Sequence, residues 1–128
     1  MEQTNRLLTV SILGCGGRGF RTYGRLMHKL PDKFKIVALC DTNADAVAIA
    51  AKEFGVSADN CFTSDEEFLT KKRSDVLVIA TLDKQHYAHA MKAMQLGYDI
   101  LLEKPITDDR QQCLDLIATQ KKYGNKVV

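Results

Sequence analysis

The chain alternates between short apolar runs and longer segments in which apolar residues recur at helical spacing. The runs contain few polar side chains, which is typical of strands that are covered on both faces of a sheet. They predict strands at residues 7–13, 35–41, 75–80 and 99–102, a short edge strand at 61–63, and the start of a sixth strand at 126–128. The segments between them predict helices at residues 17–30, 42–54, 64–72, 83–96 and 107–123.

This regular order of strand and helix indicates an α/β fold. We expect a doubly wound, mostly parallel sheet of the Rossmann type, with helices on both faces and a truncated sixth strand. The sequence contains no linker, internal repeat or low-complexity segment, so residues 1–128 are expected to form one domain.

The composition adds few constraints but excludes several classes of partner. Apolar residues make up 45% of the chain and charged residues 27%, and the net charge of +2 is too small to favour nucleic acid or a membrane surface. The four cysteines form no Cys-x-x-Cys pair, so we predict reduced thiols, a cytoplasmic location and no metal site. A lipoprotein-like cleavage site at residues 12–15 is a weaker alternative, since only Arg6 precedes its very short apolar core.

The most informative stretch is the glycine-rich loop Gly14-Cys15-Gly16-Gly17-Arg18-Gly19, which follows the first predicted strand directly. In a strand–loop–helix unit, the first glycine permits a tight turn, the second leaves room for a phosphate, and the third lets the helix pack closely on the sheet. The helix N-terminus then supplies free N–H groups and a partial positive charge. The loop therefore indicates a pyrophosphate site, although glycine-rich turns alone are common.

Asp41 closes the second predicted strand, roughly 20 residues after the loop, where a dinucleotide site carries an acidic residue. Its carboxylate, with Thr42 beside it, would accept hydrogen bonds from the adenosine ribose and would repel a 2′-phosphate. The carboxylate of Asp41 therefore favours NAD over NADP as the cofactor. The alternative is that Asp41 only caps the helix that follows it.

Glu103-Lys104-Pro105 follows the fifth predicted strand, at the edge of the sheet where α/β proteins bind their ligands. A lysine at that edge can donate a hydrogen bond to a reacting hydroxyl or take up its proton. A surface turn that ends at a proline is the alternative that spacing alone would favour.

The Glu-Lys-Pro triplet, together with Ala80-Thr81, His86 and Gly97, makes residues 7–128 resemble the N-terminal domain of the Gfo/Idh/MocA oxidoreductases. That family includes glucose–fructose oxidoreductase and inositol dehydrogenase. The resemblance implies that Thr81 and His86 line the cofactor cleft, although His86 could instead be a first-turn helix residue that packs on the loop. It also implies that Lys104 is catalytic through contact with the substrate hydroxyl. The cofactor-binding residues that it implies are Gly14, Cys15, Gly16, Gly17, Arg18, Gly19, Asp41, Thr42, Thr81, His86, Glu103 and Lys104.

The chain departs from the family pattern at Leu82-Asp83, where the family usually has Pro-Asn. A carboxylate in place of the neutral amide leaves the local contact with the cofactor open. The two remaining histidines, His28 and His89, are expected at helix surfaces.

The resemblance implies hydride transfer between nicotinamide and a sugar, polyol or related alcohol. It also implies a second, substrate-binding domain that residues 1–128 do not include, so we expect these residues alone to be inactive and the full-length protein to form a homo-oligomer. An NAD-retaining hydrolase or a cofactor-sensing module with the same first domain is the main alternative. The Glu-Lys-Pro triplet argues against a methyltransferase-type nucleotide site.

Overall fold

The computed structural model describes residues 7–103 and 109–128, with a parallel five-stranded sheet at the centre of the fold. The strands are β1 (Leu8–Leu13), β2 (Phe34–Cys40), β3 (Cys61–Phe62), β4 (Val76–Ile79) and β5 (Asp99–Leu102), in the spatial order β3-β2-β1-β4-β5. The strand order reverses between β1 and β4, and doubly wound sheets bind ligands at such a switch point. The predicted α/β fold with a doubly wound parallel sheet is confirmed.

Helices pack on both faces of this sheet. The first, α1, combines a π-helical segment, Gly17–Gly24, with the α-helical Arg25–His28. The others are α2 (Ala44–Phe54), α3 (Asp65–Phe68), α4 (His86–Leu96) and α5 (Arg110–Tyr123), and short 3-10 turns lie at Ala58–Asn60 and Asp83–Gln85. None of the helices in the described ranges is both long and apolar enough to cross a membrane.

Each face of the sheet has its own apolar core, because successive residues of a strand point to opposite sides. One core joins α1 and α2 to Val10, Ile12 and Val78. The other joins α3, α4 and α5 to Leu77 and Ile79. All five of these strand residues are completely buried. The apolar runs in the sequence therefore mark strands that are covered on both sides.

Helix α3 is shorter than the sequence predicts, because a side chain beyond the helix donates hydrogen bonds to two of its carbonyl groups. The prediction extends over residues 64–72, whereas α3 ends at Phe68. The guanidinium group of Arg73 donates to the carbonyl oxygens of Phe68 (2.8 Å) and Glu67 (3.0 Å) and lies over the ring of Phe62. These carbonyls are satisfied without a further helical turn.

The other helix ends agree more closely with the pattern. Helices α2, α4 and α5 end at Gly55, Gly97 and Gly124, each with a positive φ that favours glycine. The predicted start of α5 at residue 107 lies outside the described residues, and Asp109 caps the helix that begins at Arg110.

The chain also begins a sixth strand beside β5. Val127 pairs with Ile100 in a parallel bridge. The N–H of Ile100 donates to the carbonyl of Lys126 (2.8 Å), and the N–H of Val128 donates to the carbonyl of Ile100 (2.9 Å). Residues 126–128 thus extend the sheet as predicted.

We predict that Tyr98→Phe lowers the free energy of unfolding by about 1–3 kcal/mol, the cost of leaving a buried donor without its acceptor. The completely buried Tyr98 hydroxyl accepts a hydrogen bond from the backbone N–H of Arg73 (2.9 Å). Chemical denaturation measures the change. The matched control is Tyr123→Phe, at a ring that is 46% exposed, which should leave stability unchanged. Equal stabilities of the two variants would contradict the prediction.

Candidate functional site

A cleft of about 600 Å³ opens at the carboxyl ends of β1, β2 and β4. The predicted cofactor-binding residues that line it are Gly14, Gly16, Gly17, Arg18, Asp41, Thr42 and Thr81. Asp65, Gln85 and His89 also line the cleft, although the sequence did not single them out. The sheet therefore brings residues from well-separated parts of the chain to one ligand-sized depression at the switch point of the strand order.

The glycines of the loop serve two different structural needs. Gly14 has a φ of +100°, and a Cβ there would lie 2.5 Å from the carbonyl oxygen of Ala80. A Cβ on Gly19 would overlap the carbonyl oxygen of Gly14. By contrast, nothing lies within 4 Å of the position that a Cβ would take on Gly16 or Gly17. Gly14 and Gly19 thus allow β1, α1 and β4 to pack closely together. Gly16 and Gly17 instead leave open space at the cleft.

The N-terminus of α1 faces this open space without a side-chain cap. Gly16 precedes the helix and makes no side-chain capping bond, and the first turn carries no acidic residue. Uncapped N–H groups at a helix N-terminus, with the positive end of the helix dipole, attract an anion such as a phosphate. This end of α1 therefore provides the electrostatics of an anion site.

Asp41 ties the end of β2 to the glycine loop. One carboxylate oxygen accepts a hydrogen bond from the N–H of Cys15 (2.7 Å), and the other accepts one from the N–H of Asn43 (2.8 Å). The cap of α2 is Asn43, whose side chain accepts from Asp45 and Ala46. Asp41 is therefore not the capping residue of that helix, and its half-buried carboxylate lies in the cleft wall.

Two histidines from the first turn of α4 hold Thr81 from different sides. His86 is completely buried, and its Nε2 lies 2.8 Å from the carbonyl oxygen of Thr81. His89 Nδ1 lies 2.9 Å from the hydroxyl of Thr81, and His89 Nε2 lies 2.8 Å from a carboxylate oxygen of Asp65. Thr81 reaches the cleft, whereas the described lining does not include His86.

The expectation that His89 lies at a helix surface is wrong, since the residue is only 4% exposed. Its spacing from His86 could have revealed this, because residues three apart share one face of a helix. The following Ala90 and Ala93 lie on that same inward side and are completely buried. His28, in contrast, is exposed as predicted.

Glu103 lies at the end of β5, where its N–H donates to the carbonyl oxygen of Ile79 (3.0 Å). One of its carboxylate oxygens lies 3.7 Å from Nε of Arg18, and its side chain is largely buried. A hydrogen bond from the phenol of Tyr23 to this carboxylate raises the pKa of Tyr23. Lys104, the predicted catalytic residue, and Pro105 lie outside the described residues.

Cys15 is a buried thiol inside the loop. Burial and the nearby charge of Asp41 raise the pKa of this thiol to about 12. It is therefore protonated at neutral pH, and what it supplies to the loop is the backbone N–H bound by Asp41. None of the four cysteines is in a disulfide. Within the described ranges, no three His, Cys, Asp or Glu side chains converge as metal ligands would.

Comparison with known proteins identifies relatives along nearly the whole chain. The family model of the Gfo/Idh/MocA oxidoreductases, described as an oxidoreductase family with an NAD-binding Rossmann fold, matches residues 8–128. An inositol 2-dehydrogenase/D-chiro-inositol 3-dehydrogenase of Halalkalibacterium halodurans is 24% identical over 94% of this chain and 34% of its own length. A D-glucoside 3-dehydrogenase of Escherichia coli is 23% identical over 94% of this chain and 34% of its own length.

A similar fold is present in a solved structure, the WlbA dehydrogenase of Bordetella pertussis in complex with NADH and UDP-GlcNAcA. The two share a TM-score of 0.85 and 24% identity, over 95% of this chain and 36% of the WlbA chain. The chain thus spans about a third of the length of the relatives it matches.

We predict that Gly19→Ala lowers the free energy of unfolding by about 1–3 kcal/mol, because overpacking forces the backbone apart. The added Cβ would overlap the carbonyl of Gly14. Gly16→Ala is the matched control, since that position has a φ of −85° and open space around it. Thermal and chemical denaturation compare the two, and a loss of stability in Gly16→Ala as large as in Gly19→Ala would contradict the assignment.

Proposed function

The chain belongs to the Gfo/Idh/MocA oxidoreductase family, and on that premise we propose that it is the NAD-binding domain of a dehydrogenase of sugars, polyols or related alcohols. The observation that carries the proposal is the cleft at the switch point, where the glycine loop, Asp41 and Thr81 meet. The site has both an anion-binding end and a charged acceptor, which a dinucleotide requires.

The loop residues fit the pyrophosphate of NAD. Gly16 and Gly17 have no side chains, so the space beside them is open. This space adjoins the uncapped N-terminus of α1. Backbone N–H groups there would bind the phosphate oxygens, with the guanidinium of Arg18 in the same wall. Arg18 is 63% exposed, so it adds charge at the mouth of the cleft rather than a fixed contact.

Asp41 supports NAD over NADP. Each of its carboxylate oxygens accepts one backbone N–H, from Cys15 or Asn43, and retains capacity for a further donor. The adenosine ribose hydroxyls are such donors. A 2′-phosphate would instead bring negative charge against an ionised carboxylate.

The proposed reaction oxidises an alcohol carbon. Bound NAD⁺ would supply the hydride chemistry of this reaction, with C4 of its nicotinamide ring as the acceptor. Lys104 would take the proton of the substrate hydroxyl, since it directly follows Glu103 at the carboxyl end of β5. The relatives' activities on inositols and a D-glucoside support the substrate class. We propose that most substrate contacts come from residues outside this domain, in a protein of the relatives' length.

Asp41→Ala should weaken NAD⁺ binding by about 10- to 100-fold, because hydrogen bonds to a charged group contribute about 1.5–3 kcal/mol. The affinity for NADP⁺ should fall less, since the repulsion of its 2′-phosphate is removed as well. Titration calorimetry with both cofactors measures the change. Asp45→Ala removes an exposed carboxylate in the first turn of α2, outside the cleft wall, and should change neither affinity. An unchanged NAD⁺ affinity in Asp41→Ala would contradict the ribose assignment.

Lys104→Ala should lower kcat by about 100-fold or more in a protein of the relatives' full length, since general acid–base groups contribute about 10²–10⁴-fold. The affinity for NAD⁺ should change little. The assay is NADH formation with inositols, glucosides and nucleotide sugars, with Lys29→Ala, at the exposed end of α1, as the control. Near-normal turnover in Lys104→Ala would exclude the proposed role. Substrate turnover without net NADH would instead indicate the NAD-retaining hydrolase.

A further inference from the structure

Three polar side chains form a continuous hydrogen-bonded chain along the cleft wall. The hydroxyl of Thr81 lies 2.9 Å from Nδ1 of His89, and Nε2 of His89 lies 2.8 Å from a carboxylate oxygen of Asp65. The residues come from three elements: the loop after β4, helix α4 and helix α3. All three line the same cleft, and His89 is the buried one in the middle. We call this set the Thr81–His89–Asp65 relay.

The relay fixes the direction in which the Thr81 hydroxyl points its proton. The hydrogen bond from His89 lowers the pKa of Asp65. An ionised carboxylate, here 2.8 Å from Nε2 of His89, can only accept a hydrogen bond. Nε2 of His89 must therefore carry a proton. In the neutral imidazole Nδ1 is then a bare acceptor, and the hydroxyl of Thr81 donates to it. The Thr81 oxygen is left to offer lone pairs to the cleft.

The backbone of Thr81 is held independently of this relay. Its carbonyl accepts a hydrogen bond from Nε2 of His86 (2.8 Å), and the N–H of the preceding Ala80 donates to the carbonyl of Leu13 (2.8 Å). These contacts place the residue at the sheet edge whatever His89 does. His89 therefore controls the rotation of the Thr81 hydroxyl, and not the position of the Thr81 backbone.

We propose that His89 and Asp65 are positioning residues for cofactor recognition, because they lock the Thr81 hydroxyl as a hydrogen-bond acceptor in the cleft. The donor it takes is a hydroxyl or amide N–H group of the dinucleotide. This inference rests on the proposed function, since it requires that NAD occupies the cleft. It adds that His89 and Asp65 act on the cofactor through Thr81 and not by direct contact.

A double-mutant cycle on NAD⁺ affinity tests the proposal. At pH 8, above the usual range of histidine titration, calorimetry compares the unsubstituted protein with Thr81→Val, His89→Phe and the double variant. Each single variant should weaken NAD⁺ several-fold. The double variant should bind no more weakly than Thr81→Val alone, since without the hydroxyl there is nothing for His89 to orient. Equal effects of His89→Phe in both backgrounds, or no effect in either, would overturn the proposal.

Asp65→Ala interrupts the same relay from its more exposed end and provides a second variant if His89→Phe reduces the folded fraction. The Asp65 side chain is 40% exposed, so its removal leaves no closed cavity. It should weaken NAD⁺ in the natural background and have no further effect with Thr81→Val. His28→Gln changes an exposed histidine of α1 and should leave the affinity unchanged.

Nitrogen NMR of the histidine side chains gives a readout that does not require the cofactor. At pH 8, His89 should carry its proton on Nε2, and Thr81→Val should shift the Nδ1 resonance as the hydrogen bond is lost. A proton on Nδ1 of the neutral ring would overturn the relay. Absence of saturable NAD⁺ binding by the unsubstituted protein would overturn the proposed function and the cofactor role of the relay together. Normal binding with additive substitutions would overturn only the proposal for His89 and Asp65.

Discussion

The cleft depends on the close contact between two glycines and the neighbouring strand. Gly19 packs directly on the carbonyl of Gly14, and Gly14 in turn abuts the carbonyl of Ala80 at the end of β4. A side chain at Gly19 would push α1 away from the loop and β1, and one at Gly14 would collide with the end of β4. Because the packing is tight on this side, the chain can turn sharply and leave Gly16 and Gly17 facing empty space. The opening for a ligand is thus a consequence of contacts that lie behind it.

The charged residues of the cleft are organised around the same loop. Asp41 accepts the N–H of Cys15 and so holds the loop against the end of β2. Because the side chain of Asn43 caps α2, the carboxylate of Asp41 lies in the cleft wall instead of capping that helix. Because Cys15 is buried beside this carboxylate, its thiol stays protonated. The residue contributes to the loop through its backbone N–H, which donates to Asp41. Asp41 therefore holds the loop in place and is also the residue that we propose binds the adenosine ribose.

The fold was predictable because its signals are local, whereas the site was predictable only in part. Apolar runs and glycine stops locate the strands and most helix ends, since each depends on residues close in sequence. The early end of α3 is different, because the guanidinium of Arg73 takes the carbonyls that another turn would have used. The polar partners of His89 were likewise missed, because only the folded sheet brings Asp65 and Thr81 to its ring, although its spacing from His86 indicates burial. Long-range polar partners leave no periodic trace in a single sequence.

Stability alone does not explain why a histidine, and not an apolar residue, is buried at position 89. A buried polar ring is tolerated only when its nitrogens are bonded, and both nitrogens of His89 have partners. Replacing both partners of such a buried polar contact by well-packed apolar groups is often neutral or stabilising. The imidazole is therefore not needed to fill the space between α3 and α4. An apolar side chain could not accept a hydrogen bond from the Thr81 hydroxyl, as Nδ1 of His89 does. This hydrogen bond lies in the wall of the cleft. The chemistry of His89 is thus explained by its effect on Thr81, which connects the packing of α4 to the recognition of a ligand.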